Sequence, residues 1–270
     1  MTLQKTNSQN PHQHTSWSVQ VSLTGLSFLS IPQLGQAIHA QENFPVPTTA
    51  EGLTQALKQF WLPHYNASGQ NLTTKVFHQS PYATVVPLAL FDANKGMDYL
   101  KLNTRLLKTD VVAFDILEAQ ELVVVYIPFT NVNNLVFDTV GPFEFEHSAT
   151  GILRHLLTTR KSIKNTEVYA NIYRDSFDLI VIESGRLILY NNYAYHAPED
   201  FLYYLLFGLE QLNLNPEEVN LYLSGEVSKA DALFQSAYTY VRHVSLYTDH
   251  QLKNIAQVEH HQALVLKTSL

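Results

Sequence analysis

The sequence contains no cysteine, which rules out disulfides, thiolate metal sites and cysteine nucleophiles. Charge is scarce as well. Asp, Glu, Lys and Arg make up 15% of the 270 residues, against roughly 25% in average usage. The 17 basic residues are outnumbered by 24 acidic ones, giving a net charge of −7, and they are scattered. The densest basic stretch holds Arg154, Arg160, Lys161 and Lys164 and reads as a helix C-terminus and linker, where cations suit the dipole. Nucleic acid needs a concentrated basic patch, so that class of partner is excluded. No apolar run reaches the roughly 18 residues of a membrane span. The polar segment from Met1 to Ser16 has no apolar core of a signal peptide. The expectation is a cytoplasmic protein that is not membrane-embedded.

Chemistry-bearing motifs are also missing. There is no P-loop and no dinucleotide fingerprint. Ser224 follows an apolar run, but Tyr222 stands where a nucleophile elbow needs its first glycine. Twelve histidines invite a metal reading, yet none has ligand spacing. His12 and His14 fall in the polar tail, and His260-His261 beside Glu259 would point to opposite faces of a strand. Glu144 and Glu146 alternate with Phe143 and Phe145, the pattern of a half-buried strand with a solvated acidic face. Glu217 and Glu218 follow Pro216 at a turn and are expected in solvent. No catalytic residue and no metal ligand is expected. What the sequence has in quantity is aromatic: 15 Tyr and 14 Phe, a composition that suits protein contacts.

The periodicity predicts a repeated plan. Ser18 to Leu23 and Leu26 to Ile31 read as strands joined through Thr24-Gly25, with a third strand over 36–44 after a Pro-Gln-Leu-Gly turn. Thr48-x-x-Glu51 predicts a capping box, and Leu53, Leu57, Phe60 and Trp61 recur at helical spacing behind it. Strands are predicted over 72–78, 83–91 and 121–128, followed by a short helix over 131–137, a strand near Phe143 and a helix capped by Ser148. Three more strands follow over 167–173, 177–183 and 186–192, the last two joined by Ser184-Gly185. A helix opens at Pro198 and carries an apolar stripe from Phe201 to Leu212. Tyr203 and Phe207 fall to one side of that stripe and are expected to pack against the other half of the molecule. Val219 to Leu223 then reads as a strand, Ser228-x-x-Asp231 as a helix cap, and His243 to Tyr247 as a closing strand. A strand triplet followed by helix–strand alternation, present twice, predicts two similar α/β lobes with mixed sheets.

In this order the chain resembles the actin-like ATPase superfamily, whose duplicated, ribonuclease H-like lobes enclose a nucleotide cleft. The likeness is greatest to the pilus-assembly and cell-division branch of PilM and FtsA. It rests on Leu122 to Phe129 with Val140-Gly141-Pro142, on the run from Val168 to Leu212, and on the strand and turn from Val219 to Gly225. The resemblance implies a bacterial family of unknown function with this fold. It divides the chain into a disordered tail (1–15), a first lobe (16–147) and a second lobe (148–270).

The resemblance also implies nucleotide-site positions, and here the residues depart from the superfamily pattern. Its Asp-x-Gly turns supply a carboxylate for metal and a glycine for phosphate approach. Ser22, Thr24 and Gly25 occupy the first turn, with no acid nearby. In the second, Asn171 stands at the acid position and Tyr173 at the glycine position, with Asp175 further on. Ser224 and Gly225 hold one glycine of an expected pair, followed by Glu226, whose charge would repel an anion from that helix end. The resulting expectation is a pseudo-ATPase without cofactor that binds a protein or peptide partner. Two alternatives stay open: a nucleotide switch using Asp175, Ser22 or Thr24, and a sensor holding a small molecule in the cleft.

Overall fold

The computed structural model of the chain describes residues 15–32, 36–68, 72–101, 106, 110–252, 254–256 and 258–269. The expected tail over 1–14 and the turn over 33–35 lie outside the described residues. Thr15, assigned to the tail, is the first residue of a strand and is buried.

Strands β1 (Thr15–Ser22), β2 (Gly25–Pro32) and β3 (Ile38–Asn43) form an antiparallel meander. Helices α1 (Ala50–Phe60) and α2 (Leu62–Ala67) then return the chain to β4 (Leu72–His78), which runs parallel to β1. An inserted segment follows: β5 (Ala83–Pro87), α3 (Gly96–Leu100), β6 (Ala113–Leu117) and β7 (Leu122–Tyr126). Its strands make a separate sheet in the order β5-β7-β6. Helix α4 (Thr130–Val140) leads to β8 (Glu144–His147), parallel to β4, and α5 (Ser148–Thr159) follows.

The plan then repeats. β9 (Thr166–Ile172), β10 (Ser176–Glu183) and β11 (Arg186–Ala194) are antiparallel, and α6 (Pro198–Gln211) precedes β12 (Asn220–Gly225), parallel to β9. Helix α7 (Ala232–Tyr240), β13 (His243–Leu246) and α8 (Leu264–Lys267) complete the described chain. The two five-stranded sheets have the orders β3-β2-β1-β4-β8 and β11-β10-β9-β12-β13. Each is a meander followed by two parallel strands, so the duplication read from the sequence is present strand for strand.

Side-chain alternation assigns the layers. Trp17, Val19 and Val21 of β1, with Phe28 and Val76, pack outward against Leu53 and Leu57 of α1 and Val132 and Val136 of α4. Val168, Ala170 and Ile172 of β9, with Phe177 and Leu179, pack outward against Phe201, Leu205 and Leu209 of α6 and Phe234 and Ala237 of α7. The inner faces meet in one core. Leu29 and Phe77 from the first sheet and Tyr169, Ile180 and Ile182 from the second join Ile152, Leu153 and Leu156 of α5 and Leu264 to Leu266 of α8. Val124 and Tyr126 bring the inserted sheet into the same cluster.

Several local expectations are corrected. Thr49, not Thr48, caps α1, its Oγ1 accepting from Gly52 N at 3.1 Å. The Thr48 N–H instead bonds Leu23 O at 2.7 Å. His147 caps α5 in place of Ser148, its Nδ1 accepting from Ala149 N at 3.2 Å. Helix α7 opens only after Asp231, whose carboxylate accepts from Ser228 N at 2.6 Å. Glu146 is buried rather than solvated: Arg154 grips it with two bonds of 3.1 and 2.8 Å, and Lys75 lies 3.1 Å away. Glu144 and Phe145 are the exposed residues of that strand. His261 is buried as well, bonded through Nε2 to Val227 O at 2.7 Å. Tyr203 and Phe207 do not pack between the halves; they are exposed and stacked on one another with ring centroids 6.0 Å apart.

A buried polar cluster ties the inserted sheet to α5. His78 bonds Asn133 and Phe129 N, while His147 bonds Ser80 O at 2.9 Å. Burial pushes their pKa values down to about 3 and about 4, so both rings stay neutral in the fold. Asp115, in contact with Thr150, His147 N and Tyr126, is pushed up to about 6 by burial. The signs oppose. Below the ordinary histidine value of 6.5 the unfolded chain takes up protons the folded rings refuse, so stability falls on acidification. The Asp115 carboxyl works the other way as pH drops through about 6. His147→Asn keeps a capping side chain and removes one titrating ring. Between pH 6.5 and about 4 the variant is expected to lose about 1.4 kcal/mol less per pH unit than the wild type. Urea unfolding across that range measures the difference.

Candidate functional site

The duplication brings corresponding turns face to face. In the first half, Ser22 and Gly25 close a two-residue turn, with Ser22 Oγ donating to Gly25 O at 2.9 Å. In the second, Tyr173 N donates to Ser176 O at 2.8 Å around Arg174 and Asp175. Thr24 and Asp175 therefore hold the same turn position. Their carbonyls have matching partners: Thr24 O accepts from Phe44 N and Asp175 O from Tyr195 N, both at 2.9 Å. Across the cleft the two residues bond directly, Thr24 Oγ1 donating to Asp175 Oδ1 at 3.2 Å.

The strands after the helices supply a second matched pair. Gln79 N bonds Val21 O, and Glu226 N bonds Ile172 O, each at 2.9 Å. Gln79 reaches across to Ser176 Oγ at 3.0 Å in buried surroundings. Glu226 accepts from Asn43 Nδ2 at 3.5 Å. Three side-chain bonds thus join the halves at the mouth of the cleft. The space left between the turns, lined by Ser22, Thr24, Gly25, Gln79 and Arg174, is about 30 Å³. That volume holds a water or two, not a phosphate chain.

Gly225 explains the tight crossing of β12. Its φ of 84° is left-handed, and a Cβ there would lie 2.1 Å from Ile172 O. Ser224 Oγ donates to Asn171 Oδ1 at 2.8 Å, so Asn171 orients the β12 end rather than facing a metal. Tyr173, expected to block a phosphate with its ring, instead turns inward. Its hydroxyl donates to Asp178 Oδ2 at 2.7 Å, and Tyr190 and Asn192 donate to the other oxygen. Burial raises the pKa of Asp178.

Deeper in the cleft lies a cavity of about 310 Å³. Gln20, Ser27, His39 and Gln41 of the first sheet line one side. Asn171, Glu226, Ser228 and Asp231 line the other, and Val227, Leu264 and Val265 form an apolar base. The cleft walls raise the pKa of Glu226 by displacing water, while bonds from Gln41 and Asn43 hold it down. Burial, with the charge of Lys267 behind it, lowers the pKa of His39.

Of the seven positions singled out in the sequence, Ser22, Thr24, Gly25, Asn171 and Gly225 line the cleft, Asp175 bonds Thr24 across it, and Ser224 is buried behind Asn171. What they form does not fit a nucleotide. The turns touch through the Thr24–Asp175 bond, and the space between them is too small for a phosphate chain. Among the described residues no group of three or more His, Asp or Glu is placed to hold a metal ion. Sequence reasoning missed Gln79, Asn43, His39 and Gln41. Superposing the halves would have found Gln79, which occupies the Glu226 position, and the polar alternation of β3 marked the other three.

A family described as a protein of unknown function, DUF3822, matches residues 4–244. The chain belongs to that family. No curated protein matches it. Among solved structures, a protein of actin-like ATPase fold and unknown function from Bacteroides thetaiotaomicron is similar at 20% identity, with a TM-score of 0.75 over 87% of this chain and 91% of that one. The PilM–PilN type IV pilus biogenesis complex is similar at 13% identity and a TM-score of 0.57, over 86% and 88%. The ethanolamine utilization protein EutJ from Carboxydothermus hydrogenoformans follows at 9% identity and 0.50, over 97% and 90%. The fold of this DUF3822 member is actin-like.

Gly225→Ala is expected to lower stability by roughly 2–4 kcal/mol, combining positive-φ strain with the clash on β9. Chemical denaturation measures it, and an unchanged midpoint would show that β12 does not cross β9 this closely.

Proposed function

We propose that this protein is a non-catalytic, actin-like binding protein, a pseudo-ATPase whose partner is another protein or peptide. The observation that carries the proposal is the Thr24–Asp175 bond, which shuts the two turns on each other at 3.2 Å. An ATPase of this fold needs room between the turns for phosphate and its metal, whereas here the bond closes them to a space of about 30 Å³. The halves are taken as two lobes, 16–147 and 148–270, locked rather than opened around a nucleotide. A cytoplasmic location belongs to the same proposal; no helix among the described residues is long and apolar enough to cross a membrane.

Exposed aromatics support a macromolecular partner. Tyr203 is 62% exposed on α6, and Tyr238 and Tyr240 are 61% and 56% exposed on α7. Rings of this kind make buried anchors at modest entropic cost. The PilM relative is named in a complex with PilN, which makes a protein partner a natural role for this fold. A second reading has its own observation: the cavity of about 310 Å³ with convergent polar side chains suits a small-molecule sensor.

Isothermal titration and thermal unfolding with Mg-ATP and Mg-ADP test the first reading. Neither heat nor a raised melting temperature is expected at millimolar nucleotide. A ligand at about a hundred times its Kd would stabilise the fold by ~2.7 kcal/mol, and such a shift, abolished by Asp175→Ala, would make the protein a nucleotide switch.

A further inference from the structure

The cavity beneath the locked turns has a definite chemical character. Its volume, about 310 Å³, is at the lower end of the roughly 300–1,000 Å³ found for small-molecule sites. Glu226 and Asp231 give its rim two carboxylates, and among the described residues no lysine or arginine lines it. His39, the one basic side chain of the lining, is held toward its neutral form by burial and by the nearby Lys267 ammonium. That ammonium is itself engaged, donating to Glu259 O at 2.7 Å and His260 O at 3.3 Å. Arg174, whose charge acts on Glu226, lines the narrow space between the turns and not the cavity. The amides of Gln20 and Gln41 line the cavity as well, Gln41 bonding Glu226, and Val227 and Leu264 add apolar surface.

Such a lining selects by charge. An anion entering would meet two carboxylates on a lining that holds no lysine or arginine among the described residues, since Arg174, whose charge acts on Glu226, lies outside it. A cation would satisfy both carboxylates through charge-assisted bonds. The amide oxygens can accept further N–H donors, and the apolar base matches a short methylene chain. Resting on the small-molecule reading above, we propose that this cavity binds a small organic cation, an alkylamine or alkylguanidine, with its charged group at Glu226 and Asp231 and its hydrocarbon over Val227 and Leu264.

The test uses the full chain with three cationic probes, agmatine, putrescine and L-lysine. Glutarate serves as an anion of similar size and adenosine as an uncharged control. Thermal unfolding and isothermal titration are expected to show saturable binding of at least one cation and none of glutarate or adenosine. Glu226→Gln, with circular dichroism confirming an intact fold, is expected to weaken that binding tenfold or more. Asp231→Asn, at the exposed rim, provides the same comparison if Glu226→Gln fails to fold. Silence from all three cations, tighter binding of glutarate or adenosine, or unchanged affinity in both variants would each overturn the assignment. Mg-ATP is run alongside: its binding would sink the pseudo-ATPase reading, whereas silent cations with silent Mg-ATP would sink this cavity assignment alone.

Discussion

The structure depends on the core that the two sheets share. Each sheet already has an outer layer of helices, α1 and α4 on the first and α6 and α7 on the second. What fixes one sheet against the other is the inner cluster in which Leu29 and Phe77 meet Ile180 and Ile182 through α5 and α8. A close-packed interior of this kind resists continuous deformation, so the faces have one preferred spacing. That spacing brings Thr24 within hydrogen-bond reach of Asp175. A cleft that opens for a nucleotide would have to shift α5 and α8 as well.

The quasi-symmetry makes the contact between the two turns intelligible. Corresponding residues of the two halves keep their structural bonds: the carbonyls of Thr24 and Asp175 still anchor the chain after each third strand, and Gln79 and Glu226 still crown each first parallel strand. Their side chains no longer leave a gap between them. They join the halves, Thr24 to Asp175, Gln79 to Ser176 and Asn43 to Glu226. These three bonds form a clasp between the halves. The cavity behind the clasp remains, lined among others by Glu226 and Asp231.

Much of this was legible in the sequence because the duplication is encoded in periodicity. Strands alternate, helices repeat at 3.6, and Ser184-Gly185 and Pro198 mark their junctions where expected. Boundaries that depend on a single side-chain bond were harder. Thr48 and Thr49 are chemically alike, and only the bond to Gly52 N chooses between them. Glu146 reads as a surface acid until β8 is registered against β4, which sets it beside Lys75 and near Arg154 on α5. Strand β6 has too little periodicity to announce itself, being held by β7 and capped in function by Asp115, whose partners are distant in sequence. The clasp is a contact across about 150 residues, |i−j| = 151 for Thr24 and Asp175, and no local pattern reports such a pair.

The central claim, that the two turns are bonded to each other rather than parted around a ligand, is tested most directly by a double-mutant cycle. Thr24→Val, Asp175→Ala and the double variant are unfolded in urea alongside the wild type, and the coupling free energy is taken from the four stabilities. A turn-to-turn bond predicts a coupling of about 0.5–1.5 kcal/mol. Additive effects, with coupling indistinguishable from zero, would contradict a closed clasp and return the cleft to the nucleotide-binding reading.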